Sequence, residues 1–455
     1  MTMQKKIFKN LEMAGLGILT ILIFGLALLW PLSAHASSLV GCRVDIDRGT
    51  LPAGGLHRAI VKITLDPPPA PRIMERPAVN LVIVLDRSGS MNGEKLEKAK
   101  DAAIEALRRL GGADIFSLVI YDHNVETIVP AQSARNTEWI EARIRQIYSG
   151  GNTALFGGVS QGAAEVRKNL NRGYINRIIL LSDGLANVGP DSPDDLGRLG
   201  ASLLKEDISV TTVGVGMDYN EDLMTRLSQN SDGNSYFVES GRDLPHIFAA
   251  ELGDVLNVVA RRVHIIIECP DGVRPLTIIG REGRIRGNNV ELYLNQLYGG
   301  SKKYAIVEVE VAGGKEGESK DIAFAHVSYE NPFNKQNETA SAKAVARFSR
   351  DLNAVNRSVN VAVVKEYQLN LNAIAQEQAI ILSDKGKQNE AAIILQNSAE
   401  QLKNFGVVNY DYEMIQKSEE MNQQAEEIQK QGMTNKQRKI LRTKSYQMKN
   451  QQNSQ

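Results

Sequence analysis

The sequence predicts an α/β protein: a doubly wound, mostly parallel sheet inserted in a β-sandwich and followed by a helical C-terminal region. Three observations predict it. Between residues 80 and 259, short apolar runs alternate with helical periodicities, as in a parallel sheet with helices on both faces. Half-buried strand patterns flank that segment on both sides, too few on either side to build a sheet alone. Beyond Asn334, apolar residues recur at helical spacing. A chain of 455 residues exceeds one hydrophobic core, which rarely grows past about 250 to 300 residues, so several domains are expected.

At the N-terminus, Lys5, Lys6 and Lys9 precede an apolar stretch, Met13 to Leu32, and Ala34-His35-Ala36 follows. Basic, apolar and A-x-A segments in that order read as a secretory signal, residues 1–36. The apolar part approaches the length of a membrane span, so an uncleaved anchor through residues 13–32 is the alternative. Lipidation at Cys42, after Leu39-Val40-Gly41, ranks third. In each case the body is exported: periplasmic, secreted or at the cell surface. Export gives weight to Cys42 and Cys269, which bracket the central segment. They either bridge two strands of one β domain, worth about 5 kcal/mol in a chain-entropy account, or are two buried thiols. With 53 Lys and Arg against 53 Asp and Glu, no global charge points to nucleic acid or to an anionic membrane.

Residues 37–79 supply the first sandwich strands, such as the alternation Ala59 to Leu65, and a connector holding Pro67, Pro68, Pro69, Pro71 and Pro77. In the central segment, residues 80–259, strands are expected at Leu81–Leu85, Ile115–Tyr121, Val125–Val129 (an edge), Arg177–Leu181, Ile208–Val215 and Ser235–Val238. Helices are expected at Glu94–Leu110, Thr137–Tyr148, Leu155–Asn169, Pro193–Glu206 with Ser192 as cap, Glu221–Ser228 and Leu244–Val259. Residues 260–333 return to the sandwich through Val263–Glu268, Val290–Leu294, Tyr304–Val311 and Ile322–Tyr329. Residues 334–430 read as helical, from Ala342–Glu377 through a turn at Asp384-Lys385-Gly386 to Ala391–Leu402, with a further exposed helix at Tyr412–Lys430. The Gln- and Lys-rich residues 431–455 contain no acid and are expected to be a disordered, solvated tail.

The chemistry gathers at strand ends. Leu81–Leu85 stops at Asp86, and Ser88 and Ser90 follow around Gly89. In open α/β sheets, ligands bind beyond the carboxyl ends of strands. A carboxylate and two hydroxyls are hard oxygen donors that suit Mg²⁺, Mn²⁺ or Ca²⁺. A second apolar run, Asn176 to Ser182, delivers Asp183-Gly184, and the loop Gly150-Gly151-Asn152-Thr153 offers a third hydroxyl. On D-x-S-x-S, the G-x-T loop and L-L-S-D-G, the stretch from about Asn80 to Val259 resembles the von Willebrand factor type A domain with a complete metal-ion-dependent adhesion site. Five positions match: Asp86, Ser88, Ser90, Thr153 and Asp183.

That resemblance implies a Rossmann-like fold in which the three hydroxyls bind a divalent cation directly and the two aspartates act through water. Mg²⁺ is the first expectation, with Mn²⁺ or Ca²⁺ as alternatives. An Asp or Glu of a partner protein would complete the coordination, and Asn152, Leu155, Leu185 and Asn187 are expected to form the rim it meets. The resemblance also implies that the last helix, Leu244–Val259, can pass a change at the metal to the sandwich.

Other motifs carry less. Gly214-Val215-Gly216 lacks the third glycine of a dinucleotide fingerprint and reads as a strand-end turn. The histidines are scattered without zinc spacing, and no nucleophile stands beside a base, so an enzyme is not expected. The expected function is an exported, metal-dependent protein-binding module for adhesion or envelope-complex assembly. The alternative is a scaffold with a structural metal whose helical C-terminal region makes the contacts. Nucleic acid is not an expected partner, no second apolar span exists for a pore, and membrane attachment requires the N-terminal segment to be retained.

Overall fold

Alternating apolar residues open the described chain as strands. The computed structural model describes residues 39–70, 76–170 and 173–452. The expected leader, residues 1–36, and Pro71 of the connector lie outside the described residues. Gly41–Ile46 (β1), Thr50–Pro52 (β2) and Leu56–Asp66 (β3) come first. In β3 the alternate residues Ala59, Val61, Ile63 and Leu65 are buried in the sandwich core.

The central segment then alternates as predicted: Val79–Asp86 (β4), Glu94–Arg109 (α1), Ile115–Tyr121 (β5), Val125–Ser133 (β6), Thr137–Arg145 (α2), Leu155–Arg167 (α3) and Ile175–Ser182 (β7). Pro193–Lys205 (α4), Ile208–Val215 (β8), Glu221–Asn230 (α5), Ser235–Val238 (β9) and Leu244–Val255 (α6) complete it. Ser192 caps α4 by accepting the Asp195 N–H. The sheet order is β6-β5-β4-β7-β8-β9, parallel except for the edge strand β6. Every residue of β4 is buried, because helices cover both faces. Leu81, Ile83 and Leu85 meet α1 and α6 on one side; Val82 and Val84 meet α3 and α5 on the other.

Val258–Glu268 (β10), Val273–Ile279 (β11), Arg284–Arg286 (β12), Asn289–Tyr298 (β13), Lys303–Ala312 (β14), Ser319–Asn331 (β15) and Gln336–Ser349 (β16) return to the sandwich. Its sheets run β1-β3-β14-β11 and β12-β13-β10-β15-β16-β2, so strands before and after the central segment interleave around one core. The insertion is therefore real. Its seam is polar: Arg177 of β7, fully buried, donates to Gln296 Oε1 and the Tyr298 hydroxyl of β13, both at 2.7 Å, and lies 3.5 Å from Glu251 of α6.

Three expectations are corrected. Residues 336–349 are a strand, not the start of the helical region; Ala344, Ala346 and Phe348 are buried while Lys343, Val345 and Arg347 face outward, a period of two that outweighs the alanine content. Cys42 and Cys269 are free thiols. Cys42 lies on β1 and Cys269 follows β10, so they border the same core from opposite sheets, whose backbones in a packed sandwich stand roughly 10 Å apart. Burial raises both thiols to about 11.

The third correction concerns the tail. After Leu352–Arg357 (α7), helices Val361–Asp384 (α8), Gln388–Asn409 (α9) and Tyr412–Gln431 (α10) pack around Ile380, Leu395, Ala399 and Met421. Asn435–Lys449 then forms another helix (α11) rather than a disordered tail. A Thr434–Gln437 capping box starts it, and Leu441 and Tyr446 are buried against the body. Among the described residues, no helix is long and apolar enough to cross a membrane.

Candidate metal centre

The chain leaves β4 toward β5 on one side and reaches β7 on the other, so a crevice opens beyond the carboxyl ends of β4 and β7. β4 ends at Asp86, and Asp183 directly follows β7. Both aspartates are buried, as are Ser88 and Thr153, whereas Ser90 is exposed.

Asp86 holds its own loop. Its Oδ1 accepts the Ser88 N–H at 2.8 Å, the local turn bond that aspartate makes two residues on, and its Oδ2 accepts the Ser182 hydroxyl at 2.7 Å. Burial pushes the Asp86 carboxyl up to about 6 despite these bonds. Ser90 Oγ donates to Asp183 Oδ1 at 2.7 Å and lies 3.1 Å from Ser88 Oγ. Lys95, in the first turn of α1, donates to Asp183 Oδ2 at 2.5 Å.

The threonine loop is tied to the serine loop through the backbone. The Gly89 N–H donates to the Gly151 carbonyl at 3.2 Å, and the Gly150 N–H to the Arg87 carbonyl at 2.8 Å. Gly151 has φ +77°, and a side chain there would overlap the His123 ring. Asn187 then positions Thr153 from the other side: its N–H donates to the Thr153 carbonyl at 3.1 Å and its Oδ1 accepts the Thr153 N–H at 2.8 Å.

These constraints aim three hydroxyls at one small space. A Cβ built on Gly184 would stand 3.2 Å from Thr153 Oγ1, 3.4 Å from Ser90 Oγ and 3.7 Å from Ser88 Oγ. Glycine keeps that space clear. Neutral oxygens around an open space, backed by two buried carboxylates, fit a hard divalent cation. Among the described residues no three His, Cys, Asp or Glu side chains cluster as a metal site, so this donor set rests on its hydroxyls.

The sequence profile of the von Willebrand factor type A domain matches residues 80–250. Residues 80–250 are a von Willebrand factor type A domain. An uncharacterized protein of Synechocystis is 30% identical over 190 residues, 42% of this chain and 44% of the relative. The uncharacterized protein YfbK of Escherichia coli is 30% identical over 213 residues, 46% of this chain and 37% of the relative. The matched stretch thus spans less than half the length of either relative. A von Willebrand factor type A structure from Catenulispora acidiphila aligns with a TM-score of 0.66 at 17% identity, covering 83% of this chain and 90% of that one, a likeness of fold.

Beside the candidate metal donors of the von Willebrand factor type A domain lies a cleft of about 700 Å³. Of the residues expected at the rim, Asn152, Leu185 and Asn187 line it. Leu155 does not: it opens α3, is buried, and packs with Val159 and Tyr121 in the core, because the first apolar residue of an amphipathic helix turns inward. The opposite wall was not read from the sequence. It consists of Met217 to Asn220, between β8 and α5, of Glu221 and Asp222 at the start of α5, and of Asn435, Arg438 and Lys439 of α11. The loop had a signal, since it follows a strand of the same parallel sheet and must emerge at the same edge; α11 had none.

Proposed function

We propose that the von Willebrand factor type A domain captures a partner protein through a divalent cation, Mg²⁺ foremost, in adhesion or envelope-complex assembly. The observation that carries this reading is the convergence of Ser88, Ser90 and Thr153 on the space beside Gly184. A cation held there supplies a positive charge with a coordination position open to an Asp or Glu of the partner. Ser88, Ser90 and Thr153 contribute neutral oxygens and so leave that charge largely uncancelled. Asp86 and Asp183 stand behind them and orient Ser88 and Ser90 through the hydrogen bonds described above. Asn187 fixes the Thr153 backbone, and the exposed Leu185 offers an apolar contact beside the site. We read this machinery as one that binds rather than transforms: the carboxylate beside the Ser90 hydroxyl, Asp183, is itself engaged by Lys95, so the protein is read as a binding module and not an enzyme. The export reading rests on the expected leader, residues 1–36.

The test is thermal unfolding of the full chain in EDTA, Mg²⁺ and Ca²⁺, beside Asp183→Ala. At 100 times its dissociation constant a bound ion adds about 2.7 kcal/mol to the native state. A cation-dependent rise in Tm that Asp183→Ala abolishes is the expected outcome; equal Tm values in EDTA and in both cations would refute the reading.

A further inference from the structure

The second wall of the cleft comes from the far end of the chain. Asn435, Arg438 and Lys439 of α11 border the same 700 Å³ space as Ser88, Ser90 and Thr153. We infer that α11 is part of the binding face, and that the partner enters as one extended acidic segment, a loop or chain terminus, threaded between the metal donors and α11. This inference rests on the cation-dependent capture proposed above.

The wall is fixed by specific bonds. Lys439 is buried, stands 4.1 Å over the Tyr219 ring centroid, and donates to the Tyr219 carbonyl at 2.6 Å and to Glu221 Oε2 at 2.5 Å. Arg438 pairs with Asp222 at 2.6 Å and with Asp384 at 2.8 Å, and also reaches Glu221. The loop Met217 to Asn220 is therefore tied to α11, whose arginine and lysine line the same cleft and are paired with Glu221 and Asp222. Farther along, the Tyr446 hydroxyl donates to the Gly233 carbonyl at 2.6 Å. The Gln452 side chain accepts the Ser235 N–H at 3.0 Å and donates to its carbonyl at 3.2 Å, closing part of the edge of β9. Such a network holds α11 as a constant feature of the face.

The placement favours a segment. Ser88 and Thr153 are buried and Ser90 is exposed on one side of the cleft, and α11 and the loop Met217 to Asn220 border it too, so a chain laid along the cleft meets both the donors and α11. The chemistry agrees: side-chain amides of Asn152 and Asn435 line the cleft and can pair with the N–H and C=O groups of a peptide, as in other grooves that take extended segments.

Adjacent residues make the test. Asn435 is exposed and lines the cleft; Lys436 is exposed, pairs with Glu239 at 2.6 Å and does not line it. A phage-displayed library of linear twelve-residue peptides is panned on the full chain in Mg²⁺ and eluted with EDTA, and the selected peptides are titrated against wild type, Asn435→Trp, Lys436→Trp and Asp183→Ala. The expected peptides carry Asp or Glu, bind at least tenfold more weakly to Asn435→Trp, stay within twofold on Lys436→Trp, and are lost with Asp183→Ala. Binding to Asn435→Trp within twofold of wild type, while Asp183→Ala abolishes it, would overturn the wall and leave the metal reading standing. A chain whose Tm rises in Mg²⁺ but that yields no EDTA-eluted acidic peptide also overturns this inference alone. Absence of both the Tm rise and the peptides overturns the two together.

Discussion

Lys95 Nζ lies 2.5 Å from Asp183 Oδ2, so an ammonium group already engages one oxygen of a carboxylate in the proposed metal site. The other oxygen accepts the Ser90 hydroxyl. Asp183 is buried and the Lys95 side chain is 29% exposed, which makes this a partly screened pair. The lysine lowers the negative charge that Asp183 offers a cation. Lys95→Met is therefore expected to tighten Mg²⁺ binding roughly fivefold, equivalent to about 1 kcal/mol, the upper range for a pair at the surface. Isothermal titration of the variant beside wild type checks it; weaker binding would assign Lys95 a supporting role instead.

Asp86 predicts a pH dependence. Burial raises its carboxyl from 3.8 to about 6, so the protonated form favours the folded state. That contribution, roughly 3 kcal/mol, is complete below about pH 4 and is lost as pH rises through 6. Without divalent cation, Tm is expected to fall across this window, and Asp86→Asn to flatten the fall. A bound cation compensates the ionised carboxylate, so Mg²⁺ stabilisation is expected to grow over the same window. Tm measured from pH 4 to 7 in EDTA and in Mg²⁺ tests both trends.

Gly184→Ala places a methyl carbon against the three hydroxyls, at 3.2 to 3.7 Å from each oxygen. The contacts are tight but not severe. The fold should persist, with Tm in EDTA within a few degrees of wild type, while Mg²⁺ affinity falls at least tenfold. Retained affinity would mean that the cation does not use this space.

Arg177 joins the inserted domain to the sandwich through Gln296 and Tyr298, with Glu251 of α6 at 3.5 Å. Arg177→Met leaves Glu251 buried beside Thr211, Asn234 and Tyr236 without its cation. Breaking one side of a buried pair costs about 3–5 kcal/mol, to be read from urea unfolding of the whole chain. Arg177 bonds to Thr211, Gln296 and Tyr298 and not to the proposed metal donors, so the Tm increment from Mg²⁺ should survive in the variant.

The thiols give a simple count. Labelling of the unfolded, unreduced chain is expected to find both Cys42 and Cys269 reactive, since neither is bonded in the structure. Loss of both signals would restore the disulfide.

The central domain was legible because its signals are local. A fully apolar run such as Leu81–Leu85 forms a strand buried on both faces wherever it lies, and ligand donors follow its carboxyl end. Ser192 announces its helix within three residues by capping the Asp195 N–H. β16 shows how a local signal can mislead: Ala340, Ala342, Ala344 and Ala346 satisfy helical composition, yet every second residue faces the sandwich core. Leu155 shows the same at a single position, where an expected rim residue became part of a core.

By itself, then, the sequence determined the five metal-site candidates, their order and the layered domain beneath them, because strand ends and short motifs depend on neighbours a few residues away. Tertiary structure alone decided the rest of the face. Lys439 and Arg438 read as charges of a solvated, Gln-rich tail until folding brings them to Tyr219, Glu221 and Asp222, more than 200 residues earlier in the chain. A polar helix finds its partners through distant charges, and their pairing leaves no period in the sequence to be read.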